Sequence, residues 1–73
     1  MKKNLTKSKT ERGFTVYEFT DGNGVGCSLQ KSSAGTQDMI WLGWTPGDRM
    51  HLNQKQVAEL LPIMQKFVKT GEI

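Results

Sequence analysis

The fold of this chain is decided by the stretch Val25-Gly-Cys-Ser-Leu-Gln-Lys31, in which apolar residues alternate with small or polar ones. Successive side chains of a β-strand point to opposite faces of a sheet, so the alternation predicts a half-buried strand. Val25, Cys27 and Leu29 would lie on an apolar face, and Ser28 and Gln30 on the opposite face. The chain is therefore expected to contain a sheet with two chemically different faces.

Further strands are predicted on both sides of this one. Residues 14–19 are aromatic and β-branched, and they lead into residues 25–31 through the hairpin sequence Thr20-Asp-Gly-Asn-Gly24. Met39-Ile-Trp-Leu-Gly-Trp44 is the next strand. A type II turn over 45–48, with Pro46 second, precedes a short extended segment over 49–52. These elements predict an antiparallel meander of three or four strands.

A helix is predicted after the meander. Asn53 is a good N-cap, and Gln56 completes a capping box. Gly71 is placed to end the helix in the left-handed conformation. Between them, apolar residues recur at helical spacing at positions 57, 60, 61, 64, 67 and 68. The predicted class is α+β: a three- or four-stranded antiparallel meander followed by one C-terminal amphipathic helix packed on one sheet face.

The charge of the chain is concentrated at its start. The formal net charge is +3, and residues 1–12 contain five basic residues against one acidic residue. This segment has no aromatic residue and a single leucine, a composition that cannot bury enough surface to fold by itself. We expect a flexible basic tail over 1–12 and a single nearly neutral domain over 13–73.

The composition argues against an enzyme. With 73 residues, one cysteine and one histidine, the chain has neither an internal disulfide nor a Cys/His metal cage. Cys27 alternates with apolar residues, which favours a buried thiol over a nucleophile. No spaced carboxylate pair suited to acid/base catalysis occurs. We therefore expect no catalytic residue, no metal and no cofactor, with self-association, as a dimer by preference, supplying extra stability.

The sequence also predicts a compartment. No apolar stretch approaches the ~20 residues of a membrane span, and no apolar signal core follows the basic start. A cytoplasmic protein that does not bind membranes is expected.

Polar and aromatic residues mark a candidate ligand-binding face. Neutral donors and acceptors leave the second strand, an indole follows on the third, and an arginine and a histidine precede the helix. The candidate binding residues are Ser28, Gln30, Ser32, Ser33, Trp41, Arg49 and His51. Two other interpretations stay open: the serines can serve ordinary turns, and the Trp41 face can be a homodimer interface.

Five short motifs resemble a family of short, mostly uncharacterised proteins of bacteriophages and prophages. They lie within residues 12–73 and are Arg12-Gly-Phe14, Phe19-x-Asp21-x-x-Gly24, Cys27-Ser-Leu-Gln-Lys-Ser-Ser-Ala34, Ile40-Trp-Leu-Gly43 and Arg49-Met-His-Leu52. The resemblance implies an accessory protein that binds a host factor or sequesters an immune nucleotide signal.

Residues 39–68 are also similar in architecture to PC4-like dimers, which bind single-stranded DNA by stacking bases on a sheet. The nearly neutral folded part of this chain departs from that pattern.

Three functional hypotheses follow. The first is a non-enzymatic, phage-type accessory protein that captures a small anionic or nucleotide ligand, or a host protein, through a sheet face or subunit interface. The alternative is binding of single-stranded nucleic acid by base stacking, with the basic tail assisting. The third is a purely structural or interaction protein with a large apolar sheet face.

Overall fold

A computed structural model describes residues 4–45 and 47–73. The elements are β1 (Thr6–Lys9), β2 (Thr15–Thr20), β3 (Gly26–Lys31), β4 (Met39–Trp44), β5 (Arg49–Asn53) and α1 (Gln54–Thr70). The strands form one antiparallel sheet in the order β1-β2-β3-β4-β5. The predicted α+β class and meander are confirmed, with one strand more than the four expected at most.

The additional strand, β1, comes from the segment that the sequence assigned to a flexible tail. Lys7 pairs with Tyr17, and Lys9 pairs with Thr15. Gly13 closes the β1–β2 hairpin with a φ of 87°, and the Thr10 hydroxyl accepts a hydrogen bond from the Phe14 N–H at 3.1 Å. Strand pairing uses backbone groups, so β1 forms without the apolar alternation that marks the other strands. Residues 1–3 of the predicted tail lie outside the described residues.

The edge strand β5 confirms the extended segment predicted after the third strand. Trp41 pairs with His51, and Gly43 pairs with Arg49. The predicted turn at 45–48 includes Pro46, which lies outside the described residues.

The strand register separates the two faces as the alternation predicted. Gln30 lies opposite both Val16 and Trp41, which places these three side chains on one polar face. Tyr17 lies opposite Leu29 on the other face, which fixes the register of β2 against β3. The apolar face carries Tyr17, Phe19, Cys27, Leu29, Ile40, Leu42, Trp44, Met50 and Leu52.

The ends of α1 match the predicted caps. The Asn53 side chain accepts the Gln56 N–H at 2.8 Å, and the Gln56 side chain accepts the Asn53 N–H at 2.9 Å. Gly71 has a φ of 76° and donates its N–H to the Phe67 carbonyl at 2.8 Å. These contacts satisfy backbone groups that the helix ends leave unpaired.

The helix lies on the apolar side of the sheet but contacts mainly β5. Because α1 begins directly after β5, it leaves the sheet at its edge, and most of the apolar face stays uncovered. Among the described residues, Cys27 is the only apolar residue that is buried. The packing of the helix over one sheet face is thus narrower than the sequence predicted. Within the same residues, no helix is long and apolar enough to span a bilayer.

Candidate functional site

The polar face carries an ordered row of side chains around Trp41. The rings of Trp41 and His51 are stacked, with their centroids 3.9 Å apart and their planes 10° from parallel. The guanidinium carbon of Arg49 lies 5.2 Å from the centroid of the Trp41 ring. Arg49 Nη1 also donates a hydrogen bond to Gln30 Oε1 at 3.0 Å. Four predicted residues from three neighbouring strands therefore hold one another in place.

A hydrogen bond to Ser32 holds the His51 ring in place. His51 Nε2 and Ser32 Oγ share a hydrogen bond of 2.8 Å. Ser32 directly follows β3 and is buried, and its hydroxyl also accepts the Ala34 N–H at 3.1 Å. Ser32 is thereby engaged within the protein, and its visible role is to position the imidazole and the loop after β3.

A cleft of about 350 Å³ opens beside Trp41 on this face. Three predicted residues, Gln30, Ser33 and Trp41, contribute to its wall. The remaining wall comes from the β1–β2 hairpin and its flanks, which supply Thr10, Glu11, Arg12 and Phe14. Arg12 lines the same cleft as Trp41 and adds a cation, although the sequence assigned Arg12 to a flexible tail. Gly13 is the sequence signal that could have revealed this position of Arg12, because a glycine just before a strand is typical of a hairpin turn.

Ser28 is placed differently from the other predicted site residues. It is only 2% exposed, and it accepts a hydrogen bond from the Thr45 hydroxyl at 2.7 Å. It does not line the cleft. The geometry gives Ser28 a role in joining β3 to the segment after β4. Arg49 and His51 also stand outside the cleft wall, where they support Trp41 and Gln30.

The arrangement suits non-covalent recognition. The cleft combines one guanidinium, one carboxylate, one amide, two hydroxyls and two aromatic rings. A guanidinium binds carboxylate or phosphate oxygens, an amide both donates and accepts, and an indole offers a flat apolar surface. A negative charge placed next to the Glu11 carboxylate is repelled.

Cys27 and His51 do not form a catalytic pair. Cys27 lies opposite Phe19 and Trp44 on the apolar face, whereas His51 lies on the polar face. The Cys27 thiol is buried and donates to the Val25 carbonyl at 3.4 Å. Over residues 4–45 and 47–73, no three His, Cys, Asp or Glu side chains form a group able to hold a metal ion.

Comparisons of the chain with protein-family models, curated proteins and solved structures found no match.

Proposed function

We propose that this protein is a non-enzymatic binding protein that captures a small anionic ligand of the nucleotide class in the cleft beside Trp41. The observation that carries the proposal is the convergence of Arg12, Gln30, Ser33 and Trp41 on one cleft of about 350 Å³. Small-molecule sites commonly have volumes of ~300–1,000 Å³ and combine apolar walls with a few convergent polar groups. The cleft is at the lower end of that range, which favours a ligand the size of a single nucleotide.

Each wall residue has a distinct role in this proposal. Arg12 pairs with a phosphate or another oxyanion, since guanidinium groups bind such oxygens in a bidentate way. Trp41 contacts a planar ring, and Gln30 hydrogen-bonds the edge of that ring. Ser33 adds a hydroxyl at the exposed end of the loop.

The row behind the cleft supports rigid binding. His51 stacks on Trp41 and is held by Ser32, while Arg49 holds Gln30. Side chains that are ordered before binding lose less conformational entropy when the ligand arrives. Ser32, Arg49 and His51 therefore favour affinity by holding Trp41 and Gln30 in place, without contacting the ligand themselves.

Single-stranded nucleic acid is the second candidate, favoured by the stacked Trp41–His51 pair on an open sheet face. Such platforms need cations along the path of the strand. Lys7 and Lys9 lie on the opposite, apolar face, where the Lys7 ammonium is 5.9 Å from the centroid of the Tyr17 ring. The distribution of charge thus supports the small ligand more strongly.

Calorimetric titration tests the proposal directly. The probes are nucleoside monophosphates and cyclic nucleotides, with the matching uncharged nucleosides as ligand controls. We expect Arg12→Gln and Trp41→Leu each to weaken binding about tenfold or more, a loss of roughly 1.4 kcal/mol per factor of ten. Lys66→Gln removes the same charge from the outer side of α1 and is the matched control for Arg12→Gln.

The alternatives give distinct results in the same experiment. Equal affinity of nucleotides for the wild type and for Arg12→Gln would contradict the proposal. Binding of oligonucleotides with a steep salt dependence, together with no binding of mononucleotides, would identify the single-strand function. Retention of a host protein whose binding is lost in Trp41→Leu, again without nucleotide binding, would identify a protein ligand.

The resemblance to phage proteins supports a host-directed accessory role in the cytoplasm.

A further inference from the structure

One copy of this chain has little hydrophobic core of its own. Cys27 is the single buried apolar residue within 4–45 and 47–73, and no described residue of α1 is buried. Phe67 is 58% exposed and Val68 is 85% exposed. Ordering each residue costs on the order of 1–2 kcal/mol, which burial of apolar surface normally offsets. Further burial of apolar surface would therefore stabilise the chain.

Two apolar surfaces remain uncovered, one on the sheet and one on α1. The first is the part of the apolar sheet face that α1 does not cover, on which Trp44 and Met50 are exposed. The second is the apolar stripe of α1, whose exposed members are Leu60, Leu61, Met64, Phe67 and Val68. Soluble monomers rarely expose contiguous apolar patches larger than a few hundred Å².

A groove joins these two surfaces. It has a volume of about 450 Å³ and lies between the first half of α1 and the sheet, lined by apolar side chains that include Ile40, Leu52, Val57 and Leu61. The Lys31–Asp38 ion pair, with an N–O distance of 2.8 Å, borders it. A space of this size beside an uncovered sheet has room for large side chains from outside the chain.

We propose that a second copy of this chain covers both surfaces, with the second half of α1 from each copy lying on the apolar sheet face of the other. In a two-fold symmetric dimer the helix of each copy packs on the sheet of the other, so both uncovered surfaces of each copy become buried. The dimensions agree: the second half of the 17-residue helix is about 13 Å long, and the three central strands β2, β3 and β4 span about 10 Å.

A second copy fits better than a membrane or an unrelated protein. The helix stripe is apolar, and so is the sheet face over β2 to β5, with Lys7 and Lys9 confined to the β1 edge of that face. One chain therefore supplies both of the surfaces that pack together. The outer side of α1 carries Lys55, Glu59, Lys66 and Lys69, which remain in water in this arrangement. The polar face with Trp41 also stays free, so the dimer stands independently of the proposed ligand.

Mass measurement over a range of concentrations is the first test. Sedimentation equilibrium is expected to give twice the chain mass of 8.2 kDa for the wild type. Met64→Glu places a charge in the interface and is expected to shift the chain toward monomer or unfolded species. Lys66→Gln changes the net charge by the same amount on the outer side and is expected to stay dimeric. A folded wild-type monomer at all concentrations would overturn the proposal.

Site-directed cross-linking tests the arrangement without relying on a destabilised variant. In a Cys27→Ala background, Phe67→Cys copies are mixed with Leu42→Cys copies of different mass and oxidised. The proposal predicts a mixed disulfide-linked dimer. Glu18→Cys, on the polar face, replaces Leu42→Cys in the control and is expected to give none. A dimer in which Phe67→Cys does not cross-link to Leu42→Cys would overturn the arrangement, as would binding of the wild-type protein to lipid vesicles with no dimer present.

Discussion

Arg49 reaches across β4 to Gln30, with 3.0 Å between Nη1 and Oε1, and its guanidinium carbon lies 5.2 Å from the centroid of the Trp41 ring. One side chain from the edge strand thus ties together residues of three strands on the polar face. This relationship explains why Arg49 is associated with the candidate site without lining the cleft: it supports the two residues that do.

Arg49→Met is expected to lower stability more than Arg12→Gln does. Met keeps the apolar stem of Arg49 but removes its hydrogen bond, at a cost of ~0.5–1.5 kcal/mol in the free energy of unfolding. Arg12 is exposed, so its replacement is expected to affect ligand binding and leave unfolding nearly unchanged. Urea denaturation at one fixed protein concentration measures both. Equal destabilisation by the two variants would contradict the supporting role of Arg49.

Gly43→Ala is expected to destabilise the β4–β5 pair by more than ~1 kcal/mol. A Cβ atom at Gly43 would lie 2.6 Å from the Asp48 carbonyl oxygen and 2.8 Å from Arg49 Cα, and Gly43 has a φ of 152°. Both neighbours are backbone atoms, so relief requires moving β5. Gly22→Ala is the matched control, because a Cβ there meets no atom within 4 Å. Thermal unfolding compares the two, and similar melting temperatures would contradict the close approach.

Stability is expected to fall in acid partly through Asp21. Its carboxylate accepts the N–H groups of Val25 and Asn23 and the indole N–H of Trp44, and these bonds hold the pKa of Asp21 below its usual value. A carboxyl group with a lowered pKa in the folded state stabilises the fold above the unfolded pKa of about 3.9, and the contribution disappears as the pH falls through the folded value.

Asp21→Asn tests this contribution. The variant is expected to lose stability at neutral pH and to show a shallower decline between neutral pH and acid. Denaturant unfolding across that range measures the slope, with Glu59→Gln, on the outer side of α1, as a control that also removes one carboxylate. An unchanged slope in Asp21→Asn would exclude the carboxylate as a source of the pH dependence.

Asn53→Ala is expected to cost about 1 kcal/mol through loss of the N-cap. The reciprocal bonds between Asn53 and Gln56 satisfy two backbone N–H groups at the start of α1. Asn53→Asp keeps the acceptor oxygen and is expected to retain most of the stability. Circular dichroism during urea unfolding checks the order, and an alanine variant as stable as the aspartate variant would contradict it.

Local residue chemistry was enough to predict most elements. The capping box at Asn53 and Gln56, the glycine at 71 and the two-residue alternation around Cys27 each act within a few positions of the chain. The strand β1 escaped prediction because its pairing depends on backbone bonds to β2. The cleft beside Trp41 was not predicted for the same reason, since Arg12 reaches the Trp41 face only when the hairpin at Gly13 folds back.

From the sequence alone came the α+β class, the meander, the helix boundaries and the assignment of Trp41 to a face opposite Cys27, because these follow from spacing and from short-range hydrogen bonding. The tertiary structure alone decided that α1 lies at the β5 edge of the sheet. It also decided that Ser28 is buried in a hydrogen bond with Thr45, and that Arg12 and Gln30 line the same cleft. Each of these depends on how residues far apart in the chain meet in space, which no local pattern encodes.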